Sequence, residues 1–130
     1  MQTPDTKARR KTILLVEDNQ ESLLLFRKIL QQHGYEVLFA RGGQDALKVC
    51  RAHIGPIDLV IADVVMPGMS GPQLSESLRP LRPKTPVLFM SGVVNPAAVQ
   101  GGAGFLAKPF APERLVEKVH QLIGTSSPSA

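Results

Sequence analysis

The stretch Thr12-Ile13-Leu14-Leu15-Val16-Glu17-Asp18 decides how the rest of the chain is read. It is a short apolar run that ends abruptly in two carboxylates. A run without polar alternation suits a strand buried on both faces, as in a parallel sheet. Working outward, Ile57–Ala62 and Pro86–Met90 are runs of the same kind, and Tyr35–Ala40 and Gly104–Ala107 are weaker ones. The segments between them have helical spacing. In Gln20–His33, Leu23, Phe26 and Leu30 share a stripe with Ile29. In Pro112–Ile123, Leu115, Val119 and Leu122 sit at i, i+4 and i+7. Gly43–His53 carries Ala46, Leu47, Val49 and Cys50. Ser70–Leu81 is a weaker helix, with Gly71 and Pro72 near its start, where proline is tolerated. Gly34 is a fitting stop for the first helix.

Strand and helix therefore alternate through five strands. That order implies an α/β sheet with right-handed crossovers, a small doubly wound fold. In such sheets function collects at the carboxyl ends of the strands. The first strand ends in Glu17-Asp18, the third in Asp63, the fourth in Ser91 and the fifth in Lys108-Pro109. Carboxylates from different strands repel each other unless positive charge sits among them. Mg²⁺, a hard cation that takes carboxylates, waters and phosphate oxygens, is the natural answer. A carboxylate is also a nucleophile towards a phosphoryl group. Such a transfer needs charge neutralisation and positioning more than acid–base chemistry. A lysine supplies charge, and a hydroxyl donates to a phosphoryl oxygen.

The composition fits this reading. With 130 residues the chain makes one domain, long enough to bury a core without metal or disulfide staples. Hydrophobic residues are 43% and charged residues 20%, which indicates a globular chain. One cysteine, Cys50, excludes an internal disulfide and suits a reducing compartment. It reads as a small buried hydrophobe. No apolar run is long enough to span a membrane, and the start lacks the apolar core of a signal peptide. Residues 1–11 read as a flexible basic tail and residues 124–130 as a flexible C-terminal tail, leaving 12–123 as the domain. Lys7, Arg9, Arg10 and Lys11 against Asp5 place +3 of the net charge of +4 in the first tail. The basic balance is thus no sign that the domain binds nucleic acid.

The strings Leu14-Leu15-Val16-Glu17-Asp18-Asn19, Asp63-Val64-Val65-Met66-Pro67-Gly68-Met69-Ser70-Gly71, Phe89-Met90-Ser91-Gly92 and Phe105-Leu106-Ala107-Lys108-Pro109-Phe110 resemble those of response-regulator receiver domains. These are the phosphoacceptor modules of two-component signalling. The resemblance covers about residues 11–123. It implies a flavodoxin-like five-stranded parallel sheet in the order 2-1-3-4-5, with helices on both faces. It implies that Asp63 is phosphorylated by a phosphohistidine donor. Asp18 and Asp63 bind Mg²⁺ in this reading, Glu17 assists through water, and the Val65 backbone carbonyl completes the protein's share of the shell. Lys108 pairs with the phosphoryl oxygens, and Ser91 hydrogen-bonds the phosphoryl group. Phe105 occupies the position of the switch aromatic, and the Lys108–Pro109 bond is cis. The implied partners are a histidine kinase or a histidine phosphotransfer protein, with no nucleic acid or membrane bound directly. The implied setting is the cytoplasm, and no turnover of an external substrate is expected.

Several plainer readings stand beside these. Asp18 or Asn19 suits the N-cap of the first helix. Phe105 also fits an ordinary core position, and His33, His53 and His120 read as surface or satisfied side chains. Ser91 and Lys108 lie 17 positions apart, closer than is usual for receivers. Between them Pro96, Gly101, Gly102 and Gly104 leave only Asn95–Gln100 for the fourth helix, which is expected to be short or melted. Val65 and Val93 are apolar where the family tunes phosphate hydrolysis, so the phosphorylated state is expected to be long-lived. Two enzyme or cofactor classes fit less well. A haloacid-dehalogenase-type phosphatase would have Asp where Val65 stands. A flavin module would have a phosphate loop where Glu17-Asp18 would repel phosphate. A degenerate receiver serving only as an interaction module is the alternative. Seven residues after Ile123 are too few for a DNA-binding domain, and a free-standing regulator and a hybrid-kinase receiver both remain open.

Overall fold

Three runs are buried at every position: β1 (Thr12–Val16), β3 (Leu59–Asp63) and β4 (Val87–Ser91). β2 (Glu36–Ala40) and β5 (Gly104–Ala107) are buried only in part. The computed structural model, which describes residues 10–92 and 103–125, explains the difference by position in the sheet. The strand order is β2-β1-β3-β4-β5, so the three apolar runs are interior and the two weaker ones form the edges. Every pairing is parallel. The expected fold class and strand order are what is found.

Four helices are described: α1 (Gln20–Gln32), α2 (Gly43–Ala52), α3 (Gly71–Leu78) and α4 (Pro112–Ile123). Alternate strand residues separate two cores. Ile13, Leu15, Leu59, Ile61, Leu88 and Met90 pack with the apolar stripes of α1 and α4. Leu14, Val16, Val60, Ala62, Val87 and Phe89 pack with those of α2 and α3. Each fully buried Leu, Ile or Val contributes roughly 1.5–3 kcal/mol, so both faces hold the sheet in place.

Local signals set the helix ends. Asn19, rather than Asp18, caps α1, its side-chain oxygen accepting the Ser22 amide at 2.9 Å. Gly34 follows α1 with φ 91°, the left-handed conformation that favours glycine. Ser70 and Gln73 form a reciprocal capping box at the start of α3. The expected helix over Ser70–Leu81 ends earlier, at Leu78. Pro80 has no amide proton with which to continue the ladder. The expected fourth helix at Asn95–Gln100, and most of both expected tails, lie outside the described residues.

Candidate functional site

Parallel register brings the strand ends to one edge. Val16 pairs with Ala40 and with Ala62, Asp63 with Met90, and Ser91 with Ala107. Asp63 and Ser91 are therefore the last residues of their strands, and Glu17 and Lys108 the first beyond theirs. The Lys108 amide donates to the Ser91 carbonyl at 2.8 Å, which fixes the fifth strand end against the fourth.

Glu17 and Asp63 are buried, with 1% and 8% of their surface exposed. Buried carboxylates need partners, and Lys108 serves both. Its Nζ lies 2.9 Å from Glu17 Oε1 and 3.0 Å from Asp63 Oδ2. The second Glu17 oxygen accepts the Asn19 amide at 3.1 Å. Asp18 is half-buried beside them. One carboxylate oxygen each from Glu17, Asp18 and Asp63 lies within 4.8 Å of the others. Arg41, at the end of β2, donates to the Asp18 backbone carbonyl at 3.1 Å.

The electrostatics follow from this crowding. Burial pushes the Asp63 carboxyl up to about 6; the Lys108 hydrogen bond pulls it down and the Glu17 charge pushes it up again. Burial would lower Lys108, but its pairing with Glu17 and Asp63 outweighs that and leaves the ammonium above its ordinary value. The two groups shift upward for different reasons, desolvation at Asp63 and carboxylate pairing at Lys108. Lys108 has two carboxylates to hold its proton, whereas Asp63 has half a lysine and bears its own desolvation.

The other expected site residues are less tightly gathered. Ser91 is buried at the end of β4, in the strand adjoining Asp63. Val65 sits two residues past Asp63 and is 65% exposed. The Lys108–Pro109 bond is cis, as expected. Phe105 lies opposite Phe89 and packs, half-buried, on the α2/α3 face, which is a core contact. Val93 lies outside the described residues.

Two contributors escaped the sequence reading. Gly71 reads there as a helix-start residue, but its amide donates to the Val64 carbonyl at 2.9 Å. A Cβ at Gly71 would stand 2.5 Å from the Asp63 carbonyl oxygen. The Met-Ser-Gly string after Asp63 was the available signal. Arg41 carried no signal, because its contact with Asp18 spans 23 positions.

The donor set is all carboxylate oxygen, clustered and close to a lysine. That chemistry fits Mg²⁺, which prefers hard oxygen ligands and keeps part of its shell for water and phosphate. The comparison with known families gives the same direction. Residues 13–120 match the response regulator receiver domain model. The chain belongs to this family, the receiver domain of two-component signalling. It is 36% identical over 117 residues to the sensor kinase CckA of Brucella abortus (strain 2308), a match covering 86% of this chain and 12% of the kinase. It spans half or less of several other curated relatives as well. Among solved structures, the receiver domain from the hybrid histidine kinase CckA is 38% identical with a TM-score of 0.76, covering 86% of this receiver and 98% of that chain. The response regulator TrrA from Thermotoga maritima, solved in complex with Mg²⁺-BeF, is 30% identical with a TM-score of 0.77 over 86% and 98%. Among the described residues of this receiver, no helix is long and apolar enough to cross a membrane.

Proposed function

We propose that this receiver accepts a phosphoryl group from a phosphohistidine donor onto Asp63, and that the altered site controls a partner or passes the phosphate on. The observation that supports this is the convergence of Glu17, Asp18 and Asp63 within 4.8 Å, with the Lys108 ammonium against two of them. An Asp63 carboxylate oxygen attacks phosphorus. The new O–P bond forms as the N–P bond breaks, and the bonding electron pair leaves with the donor imidazole. Lys108 keeps positive charge at the point where the phosphoryl oxygens arrive. Ser91 moves towards one of them and donates its hydroxyl to it, and the Phe105 ring follows that movement. Glu17, Asp18, Asp63 and the Val65 carbonyl are the groups that would hold Mg²⁺, which when bound supplies further charge against the phosphoryl oxygens.

The partners in this reading are a histidine kinase or a histidine phosphotransfer protein, in the cytoplasm. The domain supports its own phosphorylation and dephosphorylation and turns over no external substrate. Val65, exposed and apolar, offers no hydrogen bond to an attacking water, so the phosphorylated state lasts minutes or longer. A half-life of seconds in purified protein with Mg²⁺ would refute that last point. The central test is incubation with candidate histidine kinases and Mg²⁺, following phosphate on Asp63. Wild-type protein is labelled, whereas Asp63→Asn protein and samples in EDTA are not. Labelling of Asp63→Asn at the wild-type level would overturn the assignment.

A further inference from the structure

Lys108 is a long side chain shared between two carboxylates, and its own backbone does little to fix where the ammonium stands. A third group touches it. The Lys108 Nζ lies over the ring of Phe26, 5.9 Å from the centroid. Phe26 is buried on the inner face of α1. The same ring stacks on Phe110, with centroids 5.2 Å apart and planes 26° apart. Phe110 lies two residues past Lys108, beyond the cis bond to Pro109. One ring of α1 thus contacts the Lys108-Pro109-Phe110 segment at both ends. Bulk alone would fill the space between α1 and this segment, and a leucine would serve. An aromatic face adds attraction for a cation, because its quadrupole is negative there.

We propose that Phe26 is a positioning residue for Lys108: its ring face, anchored by the Phe110 stack, holds the ammonium at the phosphoryl-transfer site. The proposal rests on the phosphoacceptor reading above. In that reading the ammonium must meet phosphoryl oxygens at Asp63. A ring beneath it narrows the positions it visits once a carboxylate partner becomes phosphorylated.

The test uses the full chain with acetyl phosphate and Mg²⁺, in wild-type, Phe26→Leu and Phe26→Tyr forms. Phe26→Leu retains an apolar filler and removes the face, while Phe26→Tyr retains the face. The expected phosphorylation rate falls about 3- to 10-fold in Phe26→Leu and stays within about 2-fold in Phe26→Tyr, in line with a partly desolvated cation–π contact. Phe26→Tyr also keeps the stack on Phe110, so the rates separate an aromatic ring from apolar bulk, and the Lys108 resonances separate the cation contact from packing. A second measurement needs no variant. The Lys108 ε-methylene protons, bonded next to an ammonium that lies over the ring, are expected to resonate upfield of those of other lysines in the proton NMR spectrum. Equal rates in wild type and Phe26→Leu, an equal fall in both variants, or unshifted Lys108 ε-protons would each overturn the proposal. Wild-type protein that takes no phosphate overturns the phosphoacceptor reading and this proposal with it, whereas a phosphorylated wild type with an unaffected Phe26→Leu variant overturns this proposal alone.

Discussion

The two ends of the sheet treat polar groups differently. At the amino end of the strands, polar groups are paired with neutral carbonyls or a single carboxylate. The Thr12 amide donates to Asp58 Oδ2, the Tyr35 hydroxyl to the Gly124 carbonyl and the Thr85 hydroxyl to the Ile57 carbonyl, each at 2.7 Å. Arg82 donates to the carbonyls of Gly55, Cys50 and His53 at 2.7, 2.9 and 2.8 Å, closing the end of α2. At the carboxyl end, two buried carboxylates share one ammonium, and a third carboxylate stands within 4.8 Å. The amino end is built to be satisfied. The carboxyl end is built with an excess of negative charge that a cation and a phosphoryl group would balance. Stability and reactivity are thus assigned to opposite edges of one sheet.

The sharpest way to break this contrast is Asp63→Asn. Phosphorylation should vanish, yet the folded state should not suffer. Burial holds the Asp63 carboxyl up at about 6, so the ionised form is carried at a cost above that pH. Removing that charge should leave denaturant stability at pH 8 in EDTA unchanged or higher by about 1 kcal/mol. A loss of more than that would mean Asp63 is structural.

Arg82→Ala is the converse at the other end. It strips three carbonyls of their charged donor and should lower stability by about 3 kcal/mol in urea unfolding. The phosphorylation rate of the folded protein should stay within about 2-fold of wild type. A large rate change would show that the two ends are coupled.

Gly71→Ala probes the boundary of the site. The added methyl meets the Asp63 carbonyl at 2.5 Å, so the backbone must shift. A loss of roughly 1–3 kcal/mol is expected, and because the displaced group is the backbone of the proposed phosphoacceptor, phosphorylation should slow as well. Loss of stability with an unchanged rate would separate Gly71 from the site.

The smallest effect expected is that of Tyr35→Phe, about 1 kcal/mol at pH 7 for one hydrogen bond. Its signature is the alkaline limb. Burial pushes the Tyr35 phenol up to about 12 from its ordinary 10.0. A raised folded value favours the protonated form, so its stability contribution is complete below pH 10 and is lost as pH rises towards 12. Wild-type stability should fall in that window by up to about 1.4 kcal/mol per pH unit more than the variant does. Parallel slopes would mean that Tyr35 titrates freely.

These contacts were legible in the sequence to very different degrees. β1, β5 and α4 begin and end where the apolar runs and the helical stripe predict. The edge strands read as weaker runs because residues on both faces of each are partly or fully exposed. Pro80 was present in the sequence and still misplaced the end of α3, since the apolar pattern continues to Leu81 past the missing amide. Arg82 looks like one more cation in a proline-rich loop, and only its fork of three carbonyls, 27 to 32 positions away, makes it a structural clamp.

What the sequence determined by itself is the order of buried runs and the identity of the groups that end them: Glu17, Asp18, Asp63, Ser91 and Lys108. Hydrophobic period and chain direction are local, so a parallel sheet follows and delivers those groups to one edge. Only the tertiary structure decided how they divide their charge. Lys108 reaches Glu17 across 91 positions and Asp63 across 45, and lies over a ring from α1 that no strand-end motif includes. Electrostatic attraction and desolvation act over a few ångströms of space, and sequence separation carries no measure of that distance.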